Sequence, residues 1–126
     1  MTASPAPSAS RTARILFWIG WGVLAFITVG LTLNHAYLVL TYTGVPAGRL
    51  LFPVLVAFGV YAAVVLVIPY LRLAWWAWAV TWVFILTTAV MGFALEADVG
   101  VFYIGAAVVS AIAELLVLPR FRRGHA

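Results

Sequence analysis

Four long apolar segments, separated by short turns, make up most of this chain of 126 residues. Hydrophobic residues account for 67% of the sequence and charged residues for only 8%, whereas about 25% of the residues in a typical soluble domain are charged. The chain therefore has too few polar side chains to cover a surface in contact with water. Each segment approaches or exceeds the roughly 20 apolar residues that an α-helix needs to cross a bilayer. The sequence predicts an all-α integral membrane protein, with the lipid bilayer as its main partner.

Turn-forming and charged residues mark the limits of the predicted spans. Gly44, Pro46 and Gly48 define a turn after span 1, and Pro119 is expected to end span 4. Spans 2 and 3 are joined by so short a connection, at Arg72, that a tight helical hairpin is expected. A Ser-, Ala- and Pro-rich flexible cytoplasmic tail and a basic cytoplasmic tail are predicted at the two ends. The predicted limits are 1–13 for the first tail, 14–119 for the membrane domain with spans at about 15–40, 50–71, 73–95 and 99–118, and 120–126 for the second tail.

The positions of the arginines predict the orientation of the spans. All seven basic residues are arginines, and six of them fall at the termini or between spans 2 and 3, leaving Arg49 alone on the other side. Because basic residues accumulate in short cytoplasmic loops, both termini are predicted to be cytoplasmic. Short turns then favour an up-down-up-down four-helix bundle, N-in and C-in. The same distribution accounts for the basic character of the chain, so no nucleic-acid partner is predicted.

All six tryptophans fall toward the predicted cytoplasmic ends of spans 1 and 3. Tryptophan is enriched at membrane–water interfaces, so these residues are interpreted as interfacial anchors. Trp75, Trp78 and Trp82 also share one helical face, and an aromatic cage for a cationic amine is the alternative. The predicted anchors are Trp18, Trp21, Trp75, Trp76, Trp78 and Trp82.

Glu114 is the only acidic residue inside a predicted span. Small neighbours such as Ser110 and Ala111 lie on its side of the helix and allow another helix to approach closely, so the carboxyl group is expected to face the bundle. An ionised group near the bilayer centre costs roughly 2.5–3.5 kcal/mol on insertion scales. The favoured interpretation is a structural carboxylate paired with an arginine, and the alternative is a carboxylate that couples protons or cations to transport. The arginines considered as partners are Arg14, Arg72 and Arg120.

A polar stripe runs along span 1. Thr28, Thr32 and His35 are spaced i, i+4 and i+7 and therefore share a helical face, with Asn34 about a quarter-turn away. One interpretation is a polar lining for a substrate path, in which His35 is the titratable group. The favoured interpretation places His35 and Asn34 at the outer headgroup level, with the threonines bonded to their own backbone.

Arg49, Glu96 and Asp98 are predicted to meet on the outer side of the membrane. The favoured interpretation is an interfacial ion pair between Arg49 and Glu96, with Asp98 as the N-cap of span 4. Two neighbouring carboxylates also allow a divalent-ion site as the alternative.

The small set of polar and ionisable residues limits the chemistry that this chain can perform. It contains no cysteine, which excludes thiolate metal ligands and cysteine nucleophiles. No nucleophile–base constellation, glycine-rich phosphate loop or set of metal ligands is visible, so neither a cofactor nor an enzymatic activity is predicted. In length and span number the chain resembles the small multidrug resistance transporters. Members of that family carry a glutamate in the first span, where this chain has no acidic residue.

Two functional hypotheses follow. The favoured one is a small polytopic membrane protein without enzymatic activity, an accessory or assembly component. Its partner would be a second copy in a homodimer or a larger membrane protein. The alternative is a homo-oligomeric transporter or channel for a small molecule or ion that uses Glu114. Arginine in place of lysine and abundant alanine are typical of GC-rich bacterial genomes, so the bacterial cytoplasmic (inner) membrane is the predicted location.

Overall fold

The computed structural model describes residues 7–124, and side chains are described for residues 11–123. All regular secondary structure in this part of the chain is helical. Each helix contains a stretch long and apolar enough to cross a bilayer, as expected of a multi-pass membrane protein. The predicted all-α class with four apolar helices is therefore confirmed. The helices are α1 (Pro7–Thr41), α2 (Pro46–Val67), α3 (Trp75–Ala94) and α4 (Ala97–Gly124).

Helix α1 begins earlier than the sequence predicts. It starts at Pro7, so residues 7–13 are helical where a flexible tail was expected. Proline is compatible with this position because the first turn of a helix leaves its N–H groups unpaired in any case. Ala13 is buried in the core, so the added segment packs against the bundle at this residue. Residues 1–6 of the predicted tail lie outside the described part of the chain.

Helix α4 continues to Gly124, so the predicted end at Pro119 is corrected. A proline removes one hydrogen bond from a helix without ending it where neighbouring elements hold both sides in place. Phe121, beyond the proline, is fully buried and its ring lies against Tyr70, with the centroids 4.9 Å apart. This packing accounts for the extension. Residues 125–126 of the predicted basic tail lie outside the described part.

Residues 68–74 form the connection between α2 and α3. Helix α2 ends two residues before Pro69, as the helix-stopping effect of proline predicts. Two backbone hydrogen bonds close the turn, from Leu73 N–H to the Tyr70 carbonyl (2.9 Å) and from Ala74 N–H to the Pro69 carbonyl (3.0 Å). Leu73 has a φ of 58°, a left-handed conformation that costs a non-glycine residue about 1–3 kcal/mol.

Helix α1 packs against both α2 and α4, and α3 packs against α4, whereas α2 and α3 touch only sparsely. The tight hairpin expected for α2 and α3 is therefore wrong, although the turn between them is short. A cleft of about 270 Å³ separates the two helices. The stacked rings of Phe58 and Phe84, whose centroids are 5.7 Å apart, cross it. Close helix approach requires small residues at the contact, and this aromatic pair prevents it.

Glycine permits a much closer approach between α1 and α4. A Cβ atom at Gly20 would lie 2.6 Å from the carbonyl oxygen of Ala113 and 2.7 Å from Cγ1 of Val117. Both distances are shorter than an ordinary van der Waals contact, so only glycine fits here without a shift of the helices. This contact fixes α4 against α1 at the residue next to Glu114.

Candidate functional site

Glu114 is fully buried, with 0% of its surface exposed. Its Oε2 accepts a hydrogen bond of 2.6 Å from the hydroxyl of Tyr70. The Glu114 backbone carbonyl accepts a second, longer bond of 3.3 Å from Nε1 of Trp78. The residue is therefore held by the 68–74 turn through its side chain and by α3 through its backbone.

The partner of Glu114 is a tyrosine, where the sequence favoured an arginine. No salt bridge joins Glu114 to an arginine among residues 11–123. Burial, followed by the adjacent carboxyl group of Glu114, raises the pKa of the Tyr70 hydroxyl above its ordinary range. The hydroxyl therefore keeps its proton and acts as the donor. The sequence did not indicate Tyr70 as this partner, because a tyrosine beside an arginine-containing turn is typical of an interfacial anchor.

The second carboxyl oxygen of Glu114, Oε1, is buried and has no hydrogen-bond partner among the described residues. A buried polar atom without a partner costs about 1–3 kcal/mol. The core cluster around Tyr70 is apolar and includes Phe17, Leu24 and Val117. The carboxyl group is thus closed off from water on all sides, and one of its oxygens is unused.

His35 is buried within the bundle, with 6% of its surface exposed, and its position at the outer headgroup level stays a prediction. The hydroxyl of Tyr103 lies 2.7 Å from His35 Nε2, and the ring of Phe52 stacks on the imidazole with centroids 6.5 Å apart. A cavity of about 20 Å³ lies beside this pair, which is room for about one water molecule. The hydroxyl of Tyr103 supplies the hydrogen bond that burial of an imidazole requires.

The remaining members of the polar stripe serve different purposes. Thr32 Oγ1 donates to the Thr28 carbonyl at 2.7 Å, which confirms the predicted backbone bonding for that threonine. Thr28 is buried, at 1% exposed, and lies in the wall of the α2–α3 cleft, whereas Asn34 is exposed. The stripe is therefore divided between the cleft and the cavity beside His35.

Arg49, Glu96 and Asp98 are all exposed, and no salt bridge connects them within the described residues. Helix α4 begins at Ala97, so Asp98 lies in its first turn and not at the N-cap as expected. Its Oδ1 accepts a hydrogen bond of 3.0 Å from the N–H of Val99, and a carboxylate there also interacts favourably with the helix dipole. No group of three or more potential metal ligands is present in the described chain.

The tryptophans divide into an exposed and a partly buried set. Trp18, Trp75 and Trp76 are 52%, 44% and 56% exposed, and their role as interfacial anchors stays a prediction. Trp78 packs against the core cluster around Tyr70, and its ring stacks on that of Trp75 with centroids 5.1 Å apart. These two rings face each other, so this pair does not form an open aromatic cage. The partly buried set is Trp21, Trp78 and Trp82.

No family model, no curated protein and no solved structure matches this chain. What defines it is a membrane-type bundle of four helices with a buried carboxyl group that a tyrosine holds.

Proposed function

We propose that this chain is a small multi-pass component of the bacterial cytoplasmic membrane that has no enzymatic activity and assembles with a larger membrane protein. The observation that carries this proposal is the enclosure of Glu114, which is 0% exposed and bonded to Tyr70. A coupling carboxylate in a transporter needs access to water from at least one side, because the ion must reach it. Glu114 lines none of the three cavities that could lead to it. These are the α2–α3 cleft, the cavity beside His35 and the groove along α1 and α4.

The outer face of α1 and α4 supports assembly with another membrane protein. A groove of about 720 Å³ runs along this face. Cβ atoms added at Gly22, Gly30 or Gly105 would meet nothing within 4 Å. Small residues on an outer face allow a partner helix to approach closely in a bilayer.

Purification in a mild detergent, followed by mass analysis, tests the proposal. We expect the chain to co-purify in a fixed ratio with one larger membrane protein, and the Glu114→Gln variant to keep that partner. In proteoliposomes containing a pH-sensitive dye, the purified chain should produce no proton-coupled flux. A homo-oligomer that produces a proton flux, which Glu114→Gln abolishes, would contradict the proposal. It would establish the alternative function of a transporter, which the unpartnered Oε1 of Glu114 supports.

For the topology, we propose an up-down-up-down bundle with both termini in the cytoplasm. Six of the seven arginines then lie on the cytoplasmic side. Contacts that pair the early part of α1 with the late part of α4, and the reverse, support opposite directions for these two helices, as this arrangement requires. Examples are Gly20 with Ala113 and His35 with Tyr103.

Single cysteines test this topology, since the natural chain has none. Ala47→Cys and Ala97→Cys are expected to react with a membrane-impermeant maleimide in intact spheroplasts. Leu71→Cys, in the 68–74 turn, is expected to react only after lysis. The reverse labelling pattern would place the termini outside, and equal labelling of all three would refute the four-span arrangement.

A further inference from the structure

Arg14 and Arg120 line one cavity at the end of the bundle that contains the start of α1 and the last turns of α4. The cavity has a volume of about 240 Å³. Arg14 is exposed, whereas Arg120 is half-buried. The two arginines therefore contribute to the walls of the same small space from different helices. The other residues in its walls are Phe17, Trp18, Leu71 and Leu73.

No acidic side chain is available to neutralise these two arginines. The chain has only three acidic residues. Glu96 and Asp98 lie at the α3–α4 connection, and the buried carboxyl group of Glu114 bonds to Tyr70. Like charges that share a cavity repel each other, so an anion between the two arginines would be stabilised.

A strained residue forms part of the same wall. Leu73, with its φ of 58°, holds a left-handed conformation that leucine rarely adopts. Backbone strain of this kind persists where the surrounding structure fixes it, and it concentrates at ligand sites. The strained turn and the arginine pair are independent observations that coincide at one cavity.

The walls of the cavity identify the source of the anion. Phe17, Trp18, Leu71 and Leu73 are apolar, and Trp18 is half exposed. A free phosphate ion would gain nothing from such walls, whereas a lipid presents a phosphate group directly above apolar chains. Basic pockets between membrane helices bind the headgroups of anionic lipids.

We propose that this cavity binds the phosphate group of an anionic membrane phospholipid, with Arg14 and Arg120 donating hydrogen bonds to the phosphate oxygens. The planar guanidinium fork matches two phosphate oxygens at once. The glycerol end of the lipid then lies against Leu71 and Phe17. The inference depends on the membrane position of the chain and is independent of the partner protein and of the orientation proposed above.

Phosphatidylglycerol binding to the full chain in mixed micelles tests the inference, with phosphatidylcholine as the neutral reference lipid and native mass spectrometry as the readout. The double variant Arg14→Gln/Arg120→Gln is expected to bind phosphatidylglycerol at least about tenfold more weakly, since it loses two charge-assisted hydrogen-bond donors. The matched control is Arg11→Gln/Arg122→Gln. It removes the same charge from the same two helices but leaves the cavity intact, so binding close to that of the natural chain is expected.

Leu71→Trp provides a second variant that keeps every charge and fills the cavity. It should also weaken binding of phosphatidylglycerol, and melting curves recorded without lipid check that each variant is folded. If both double variants lost phosphatidylglycerol binding to the same extent, the loss would be due to general surface charge, and the inference would be overturned. Undiminished binding by the Arg14/Arg120 variant or by Leu71→Trp would also overturn it. Competition by equimolar inorganic phosphate would overturn the assignment to a lipid.

Discussion

Gly20→Ala is expected to destabilise the bundle by about 1–3 kcal/mol, the usual cost of forcing an extra carbon atom into a packed contact. The added Cβ would lie 2.6 Å from the Ala113 carbonyl oxygen and 2.7 Å from Val117 Cγ1. The first atom belongs to the backbone of α4, and the second to a side chain that is 0% exposed. Neither can move aside alone, so α1 and α4 must separate. The measurement is the unfolding free energy in detergent micelles, from titration with SDS.

Gly22→Ala is the matched control for this prediction. Gly22 lies two residues away on the same helix, and a Cβ atom there would meet nothing within 4 Å. Alanine is favoured over glycine inside a helix by about 1 kcal/mol, so this variant should unfold at the same SDS fraction as the natural chain or at a higher one. Equal destabilisation by both substitutions would refute the close contact between α1 and α4.

The number and type of the helices could be predicted because they depend on the length of each apolar segment alone. The helix limits could not, since they depend on what packs beyond the last apolar residue. Pro119 has the sequence features of a helix end, yet α4 continues because Phe121 finds a buried position against Tyr70. In the same way, the two large rings at Phe58 and Phe84 prevent the tight hairpin that the short 68–74 turn led one to expect.

As with the fold, only part of the candidate site could be predicted from the sequence. The small residues near Glu114 correctly indicated a bundle-facing carboxyl group, which is 0% exposed. Its partner could not be found, because Tyr70 lies 44 positions away in a turn whose path depends on the unusual conformation of Leu73. The burial of His35 could not be predicted, because a position near a span end is typical of an interfacial residue. Only the fold shows that Tyr103, from α4, supplies its hydrogen bond.

Tyr70→Phe is expected to destabilise the bundle by about 1–3 kcal/mol, the cost of leaving a buried polar group without its partner. The hydroxyl of Tyr70 makes the only hydrogen bond to the Glu114 side chain among the described residues. Removing it leaves both carboxyl oxygens buried and unpaired. The matched control is Tyr61→Phe on α2, since Tyr61 is 54% exposed and the loss of its hydroxyl leaves no buried polar group without a partner. That variant should unfold at the same SDS fraction as the natural chain.

The Glu114→Leu variant tests whether the destabilisation by Tyr70→Phe comes from the lost hydrogen bond to Glu114 or from Tyr70 alone. Leucine removes both the acceptor of the Tyr70 hydroxyl and the buried unpartnered Oε1. In the Glu114→Leu background, Tyr70→Phe leaves no carboxyl group without a partner, so it should lower the unfolding free energy by less than in the natural chain. The coupling energy between the two substitutions is expected to be about 0.5–3 kcal/mol, the range found for residues in contact. Strictly additive effects would show that the hydrogen bond contributes nothing and that Tyr70 acts only through ring packing. Glu114→Leu alone removes the unpaired Oε1 but leaves the buried hydroxyl of Tyr70 without its acceptor, whereas the double variant replaces both polar partners by apolar groups, an exchange that can be nearly neutral. A stable Glu114→Leu/Tyr70→Phe variant that still retains the co-purifying protein would therefore restrict the role of this carboxyl group to the fold.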